Sequence, residues 1–232
     1  MNYHCIYMHQ KGPLAQLVHQ DRLFAQTLQN NEIGLRFYET KGVILGKLDQ
    51  MCAHFDQGVS YLHSQGYETT IREQGGLGVV VDEGVLNVSL ILPTSLKPYS
   101  GLYEAYDTLV MLLQKAFESC PYKLYFYEIE HSYCPGKYDG VINEKKWCGI
   151  AQKRMKEKVI VSATLMISGD QMRRGELMKT FYDIANTTQD PRFPTIDPSC
   201  MMTLSQALSK ELSNEEVIST LFNTIKTWVQ EL

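Results

Sequence analysis

No run in the 232-residue chain approaches the ~20 consecutive apolar residues that a bilayer-spanning helix requires, so no membrane segment is expected. Basic clusters are also scarce. The densest, KRMKEK at 153–158, is interrupted by Glu157, and the formal net charge is −4. Without a concentrated basic field the chain is not expected to bind nucleic acid. The six cysteines (Cys5, Cys52, Cys120, Cys134, Cys148 and Cys200) include no Cys-x-x-Cys pair, which speaks against a zinc site or a disulfide framework. Each is read as a free thiol, and no metal is expected. The first residues, MNYHCIYMHQKGPLAQ, lack the charged-then-apolar layout of a secretory signal and show no evident transit peptide, so the expected location is the cytoplasm. Neither a P-loop nor a G-x-G-x-x-G fingerprint occurs. Internal repeats and low-complexity tracts are absent.

What remains is an ordinary globular composition, 44% apolar and 21% charged. A chain of this length buries roughly 70% of its unfolded surface and can build its own core. Residues 14–30 place Leu14, Leu17, Val18, Leu23, Phe24 and Leu28 at spacings that mostly suit one face of an amphipathic helix. At 34–46 the pattern changes to two short strands about a Lys41-Gly42 turn. A helix is expected at 55–65, stopped by Gly66, and then an alternating strand at 67–73. The apolar runs on either side of Asp82-Glu83-Gly84 read as a hairpin. Residues 101–118 carry the strongest helical stripe. Two or three strands follow in 123–151, then a buried strand at 159–167 and a helix at 171–184. A loop rich in Pro, Thr and Asp at 187–199 leads to two terminal helices, the second opened by a Ser213/Glu216 capping box. Strands in the middle with helices at both ends indicate an α+β fold, a mixed or antiparallel central sheet covered by helices.

Three segments are candidates for chemistry. In Arg72-Glu73-Gln74-Gly75-Gly76-Leu77-Gly78, three glycines in four positions let the backbone approach a ligand closely just after a strand. A tight turn or bulge explains them equally well. In HSYCPGKYDG (131–140), Cys134 stands at a strand-to-turn junction, where side chains are often presented rather than buried. Its thiol becomes a useful nucleophile once a cation stabilises the thiolate, since a thiol with an ordinary pKa of ~8.5 is little ionised at neutral pH. A small buried Cys is the competing reading. His131 lies three residues away, hence on the opposite strand face, and makes a poor base for Cys134. In VINEKKWCGIAQKR (141–154), Asn143-Glu144-Lys145 form the turn of a hairpin whose return strand begins at Lys146, which brings that lysine near Cys134. Two lysines at a turn are otherwise simply solvated. Cys148 is an equal nucleophile on spacing, although Trp147 and Ile150 beside it suggest packing.

Taken together, these segments resemble one family. LRFYETKGVILGKLDQ looks like its strand pair ending in a Leu-Gly turn. IREQGGLGVVVDEGVLNVSLIL carries its Arg-x-x-Gly-Gly and Leu-Asn-x-Ser segments. SYCPGKYDGVINEKKWCGIAQKR carries its Ser-Tyr-Cys-Pro-Gly and Lys-x-x-Gly-x-Ala-Gln motifs. The family is the lipoate/biotin protein ligase and octanoyltransferase superfamily, and the resemblance is closest to its lipoyl/octanoyl amidotransferase branch. It covers most of residues 14–232. Members of that branch move an acyl group from the glycine-cleavage H protein to the lipoyl domains of 2-oxoacid dehydrogenases.

The resemblance implies a biotin/lipoate protein ligase-like catalytic domain over 14–187, with 188–232 as a helical C-terminal appendage. It implies Cys134 as the acyl-thioester nucleophile and Lys146 as acid/base and thiolate stabiliser. Arg72, Gly75, Gly76, Leu77, Gly78 and Asn87 would line the acyl and acceptor-lysine channel, with Asp139, Gly149 and Gln152 completing the substrate-binding wall. No cofactor is implied, because exchanging one amide for another needs no ATP. The implied donor is the H protein, and the implied acceptors are lipoyl domains of the dehydrogenase acyltransferase subunits. Docking of such acidic domains is expected at a local basic patch of Lys153, Arg154, Lys156 and Lys158. The chain departs from the family's pattern at Gln74, Gly78 and Lys153, where Ser, Ala and Arg are usual. Two alternatives stay open: a sister transferase that draws octanoate from acyl carrier protein, and an ATP-dependent lipoate ligase with no need of Cys134.

Overall fold

The computed structural model describes residues 2–232. In chain order the strands are β1 (His4–Lys11), β2 (Glu32–Glu39), β3 (Gly42–Leu45), β4 (Thr69–Ile71), β5 (Val79–Val81), β6 (Val85–Pro93), β7 (Tyr125–Phe126), β8 (Gly140–Ile142), β9 (Lys145–Arg154) and β10 (Lys158–Met166). The helices are α1 (Leu14–Leu17), α2 (Gln20–Thr27), α3 (Phe55–Ser64), α4 (Glu104–Ala116), α5 (Gln171–Ala185), α6 (Leu204–Leu208) and α7 (Asn214–Gln230). Seven strands form one mixed sheet in the order β1-β2-β6-β10-β9-β8-β7, antiparallel except for the β1–β2 pair at one edge. The other three form a small sheet, β4-β3-β5. This is the α+β arrangement expected from the sequence.

The central strands β6 and β10 are rich in Val, Ile and Leu, and every residue of β6 is buried. β-Branched and aliphatic side chains fill a sheet that is covered on both faces. Alternation sends Leu86, Val88, Leu90 and Leu92 to one face, where they meet Leu109, Leu112 and Leu113 of α4 and Val217, Leu221, Ile225 and Trp228 of α7. The helices of the 188–232 segment thus share a core with strands of the 14–187 segment. On the other face, Phe24, Ala25 and Leu28 cover Ile91 and Ile160. A second core packs the small sheet against α3 and α5 through residues such as Leu45, Val80, Leu62 and Phe181.

Four features differ from the pattern-based reading. The single helix expected at 14–30 is broken after Leu17. The break lets Leu14 and Val18 enter the second core while Phe24 and Leu28 turn onto the large sheet. The strand pair β2/β3 and the expected hairpin β5/β6 each divide between the two sheets. Asp82-Glu83-Gly84 does turn the chain, with Val85 N–H donating to Asp82 O at 2.9 Å and Gly84 at φ +84°. However, β5 pairs with β3, whereas β6 pairs with β2 and β10, so the turn hands the chain from one sheet to the other. Finally, β1 is a full edge strand over HCIYMHQK, a segment to which the sequence reading assigned no element. Among the described residues, no helix is long and apolar enough to cross a membrane.

Candidate active site

Strand register fixes which side chains lie on the sheet face away from α4 and α7. Tyr38, Asn87, Thr164 and Gly149 align in one row across β2, β6, β10 and β9, and Arg36, Ser89, Ser162 and Ala151 align in the next. Most of these residues floor a cavity of about 360 Å³, a size suited to a small ligand or a ligand-bearing side chain. The polar atoms of the floor are largely paired, as burial demands. Thr164 Oγ1 donates to Asn87 Oδ1 at 2.9 Å, and Ser89 Oγ donates to Asp21 Oδ2 at 2.7 Å. Asp21 of α2 in turn forms a buried ion pair with Arg36 at 2.7 Å. Gly149 and Ala151 keep the floor low beside Lys146: a Cβ on Gly149 would meet Lys146 Nζ at 3.6 Å.

Above this floor, Cys134 sits in a loop at φ +50°, a left-handed conformation that costs a non-glycine residue about 1–2 kcal/mol. Its half-buried sulfur accepts two hydrogen bonds from the glycine-rich segment, one from Leu77 N–H at 3.1 Å and one from Arg72 Nη2 at 3.2 Å. Arg72 Nη2 also donates to Leu77 O at 2.9 Å, tying guanidinium and loop together. Gly76 makes this approach sterically feasible. Its φ is +101°, and a Cβ there would stand 2.4 Å from Arg72 Nη2 and 3.0 Å from Cys134 Sγ. The loop is braced from behind, where Gly78 N–H donates to Tyr182 Oη at 3.2 Å and that hydroxyl donates to Asp49 Oδ1 at 2.8 Å. Asp49 Oδ2 accepts Gly46 N–H at 2.7 Å. Burial pushes the Asp49 carboxyl up to about 6 and holds the Tyr182 hydroxyl well above its usual range.

Lys146 reaches the same loop from β9. The hairpin before it turns at Asn143 and Glu144, both at positive φ, leaving Lys145 exposed and Lys146 inside with 2% exposure. Its ammonium donates to Cys134 O at 2.6 Å, Tyr133 O at 3.0 Å and Ser132 Oγ at 3.2 Å, and pairs with Asp139 Oδ1 at 2.9 Å. It therefore meets the main chain of Cys134 rather than its sulfur. Asp139 Oδ2 accepts Gly136 N–H at 3.1 Å and Ile129 N–H at 3.3 Å, fixing both sides of the loop. Burial raises the Asp139 carboxyl, opposed by the charge of Lys146.

Of the residues singled out in the sequence, Arg72, Gly75, Gly76, Asn87, Cys134, Lys146, Gly149 and Gln152 all line the cavity. Leu77 and Gly78 contribute main-chain N–H groups from behind its wall, and Asp139 lies behind Lys146. Gln152 Nε2 donates to Leu102 O at 3.1 Å, and its Oε1 is buried without a partner. His131 is engaged with Thr195 O at 3.1 Å. Cys148 is fully buried, and its thiol is pushed up to about 12. Three of the four residues of the basic patch expected at 153–158 have partners within the chain, although Arg154 and Lys156 remain exposed. Lys153 pairs with Glu73, Arg154 donates to the carbonyls of Gly101 and Ser100, and Lys158 donates to Gln29 O. The sequence reading missed Asp21, Tyr38, Ser162 and Thr164, together with the Tyr106–Tyr138 stack at 4.4 Å that lines the same cavity. Polar residues at alternate positions of apolar strands were the available signal for the floor. Among the described residues, no three His, Cys, Asp or Glu side chains are grouped to hold a metal ion.

Residues 12–226 match the family described as the lipoyl protein ligase A/B catalytic domain. The chain is 37% identical over 194 residues to a lipoyl-[GcvH]:protein N-lipoyltransferase of Listeria monocytogenes, covering 83% of this chain and 69% of that one. It is 42% identical over 187 residues to an octanoyl-[GcvH]:protein N-octanoyltransferase of Macrococcus caseolyticus, covering 80% and 68%. The chain thus spans about two thirds of the length of these relatives. Its fold is similar to that of a lipoate-protein ligase A bound with ATP, with TM-score 0.73 at 17% identity over 98% of this chain and 85% of the other. A putative lipoate protein ligase from T. acidophilum with bound lipoic acid gives TM-score 0.72 at 17% identity, over 98% and 86%.

Proposed function

The chain belongs to the lipoyl protein ligase A/B catalytic-domain family, and on that premise we propose that it is a protein N-octanoyl/lipoyl transferase. The donor is the acylated lysine of glycine-cleavage H protein. The acceptors are lysines on lipoyl domains of 2-oxoacid dehydrogenase acyltransferase subunits, and the site of action is the cytoplasm. The donor assignment is supported by relatives whose names carry the H protein. The observation that carries the chemistry is the Cys134 sulfur, hydrogen-bonded by a cation at a cavity wall, with the buried Lys146 ammonium on the main-chain carbonyl of the same cysteine.

Cys134 attacks the carbonyl carbon of the donor amide, forming an S–C bond as the carbonyl electron pair moves to oxygen. Collapse of that intermediate breaks the C–N bond, and the departing lysine nitrogen takes a proton from Lys146. The donor lysine leaves as an amine, with the acyl group held as a thioester. An acceptor lysine, entering as the free amine, attacks the thioester. Its proton passes to Lys146, and the Cys134 thiolate departs. One amide is exchanged for another, so the cycle is nearly thermoneutral and needs neither ATP nor a cofactor. The Lys146 ammonium, paired with Asp139 at 2.9 Å, also favours the thiolate through its field.

The test is acyl transfer to an apo lipoyl domain, followed by acceptor mass. Octanoyl-H protein without ATP is expected to be the efficient donor. Transfer mainly from octanoyl-acyl carrier protein would move the enzyme to the sister activity. Modification that requires ATP and free lipoate would make it a ligase.

A further inference from the structure

The sulfur of Cys134 has two hydrogen-bond donors, and neither is Lys146. We propose that Arg72 and the Leu77 N–H together form an anion-holding pair, which first binds the Cys134 thiolate and then the oxygen of the tetrahedral intermediate. This rests on the acyl-transfer reading only for the second of these two tasks.

The charges around the sulfur favour Arg72 as the thiolate's partner. From β9, the Lys146 ammonium is paired with the equally buried Asp139 at 2.9 Å, so much of its charge is spent locally. From the segment after β4, Arg72 has no carboxylate within ion-pair distance among the described residues, and its Nη2 reaches the sulfur at 3.2 Å. Tyr182 of α5 and Tyr133 of the cysteine's own loop are near enough to feel a charge on Cys134, but their hydroxyls are engaged elsewhere, with Asp49 and with Met166 Sδ. Burial keeps both hydroxyls neutral, with Tyr133 pushed up to about 12. Two acids lie nearby: Asp49, which also feels Arg72, is held by Gly46 N–H and the Tyr182 hydroxyl, and Asp21 on the cavity floor is paired with Arg36. The guanidinium is thus the uncompensated cation in contact with the thiol, aided by a main-chain dipole.

The second task follows from the chemistry of the bond that forms. Once Sγ is acylated, the sulfur carries no negative charge and is a weak acceptor. Negative charge develops instead on an oxygen two bonds away. The same donors are then released to meet it. Arg72 also holds one in reserve, because its buried Nε–H has no partner. Gly76 is part of the device, since any Cβ there would displace the guanidinium from the sulfur.

The experiment measures the pH profile of iodoacetamide alkylation at Cys134, read by mass on the peptide that contains it. The same proteins are assayed for transfer from octanoyl-H protein. In Arg72→Gln, the midpoint of alkylation is expected to move up by ~1–2 pH units, with a smaller upward move in Arg72→Lys. Transfer is expected to fall at least ~100-fold in kcat for Arg72→Gln, the size of effect seen when one oxyanion donor is lost, with KM changed much less. An unmoved midpoint in both variants overturns the proposal. Arg72→Lys alone decides if Arg72→Gln does not fold, with an unmoved midpoint again overturning it. A shifted midpoint in a protein that transfers from no donor keeps the thiolate cradle and removes the acyl-transfer reading. Normal transfer with unshifted alkylation does the reverse.

Discussion

Replacing Asp139 tests how strongly the buried Lys146–Asp139 pair is coupled. Both side chains are 2% exposed and their charged atoms are 2.9 Å apart. At an effective dielectric of about 20, that separation corresponds to a gross attraction of about 6 kcal/mol. Burial of the two charges offsets much of this. Removal of one partner leaves an uncompensated charge, which typically costs about 3–5 kcal/mol. Asp139→Ala should therefore lower unfolding free energy by about that amount, measured by urea denaturation at pH 7. Asp139→Ala should also lose its N–H contacts to Gly136 and Ile129, so the cleaner comparison is a double variant. Asp139→Ala combined with Lys146→Met should be more stable than Asp139→Ala alone, because no charge is then stranded. A double variant less stable than the single one would refute the claim that the pair is desolvated and coupled.

Gly76→Ala should leave the fold stable to within about 1–2 kcal/mol, the cost of its left-handed backbone, while transfer falls by at least 10-fold as Arg72 is displaced. Thermal melts and acceptor mass read the two effects separately. Asp49 contributes through its raised carboxyl, from 3.8 to about 6. Because the folded state favours the protonated form, this contribution is fully present below about 4 and is lost as pH rises through about 6, an effect of about 3 kcal/mol. Stability profiles of wild type and Asp49→Asn should therefore converge toward the acid end and separate above pH 6, with the Asn form gaining relative to wild type. Trp228→Ala should cost about 3–5 kcal/mol, because its ring is buried in the main core with Tyr99 edge-on at 5.4 Å. A loss below 1 kcal/mol in urea would show that α7 is only loosely attached.

The sequence disclosed the site's ingredients better than its geometry. Periodicity located α3, α4 and α5 closely, since each buries one face and exposes the other. It misread β5 and β6, because a turn signal says that the chain reverses and not which sheet receives the next strand. Lys145 and Lys146 look alike as text, yet one is exposed and the other enclosed. That difference depends on Asp139 and on three oxygens of residues 132–134, which are brought together only by the folded loop. The contact between Arg72 and Cys134 spans 62 positions of sequence and is invisible to any local pattern. The floor was more accessible. Asn87 and Ser89 in β6, like Ser162 and Thr164 in β10, interrupt apolar strands at two-residue spacing, which places them on one face of the sheet. Lys153, Arg154 and Lys158 show the converse, a charge run that the fold spends on its own carboxylates and carbonyls.

The central claim is that Cys134 carries the acyl group between donor and acceptor. Its most direct test is intact mass of the protein after incubation with octanoyl-H protein, without acceptor and without ATP. The account predicts a single octanoyl adduct, released by hydroxylamine, located at Cys134 and absent from Cys134→Ala. Acceptor modification by Cys134→Ala at the wild-type rate would contradict it.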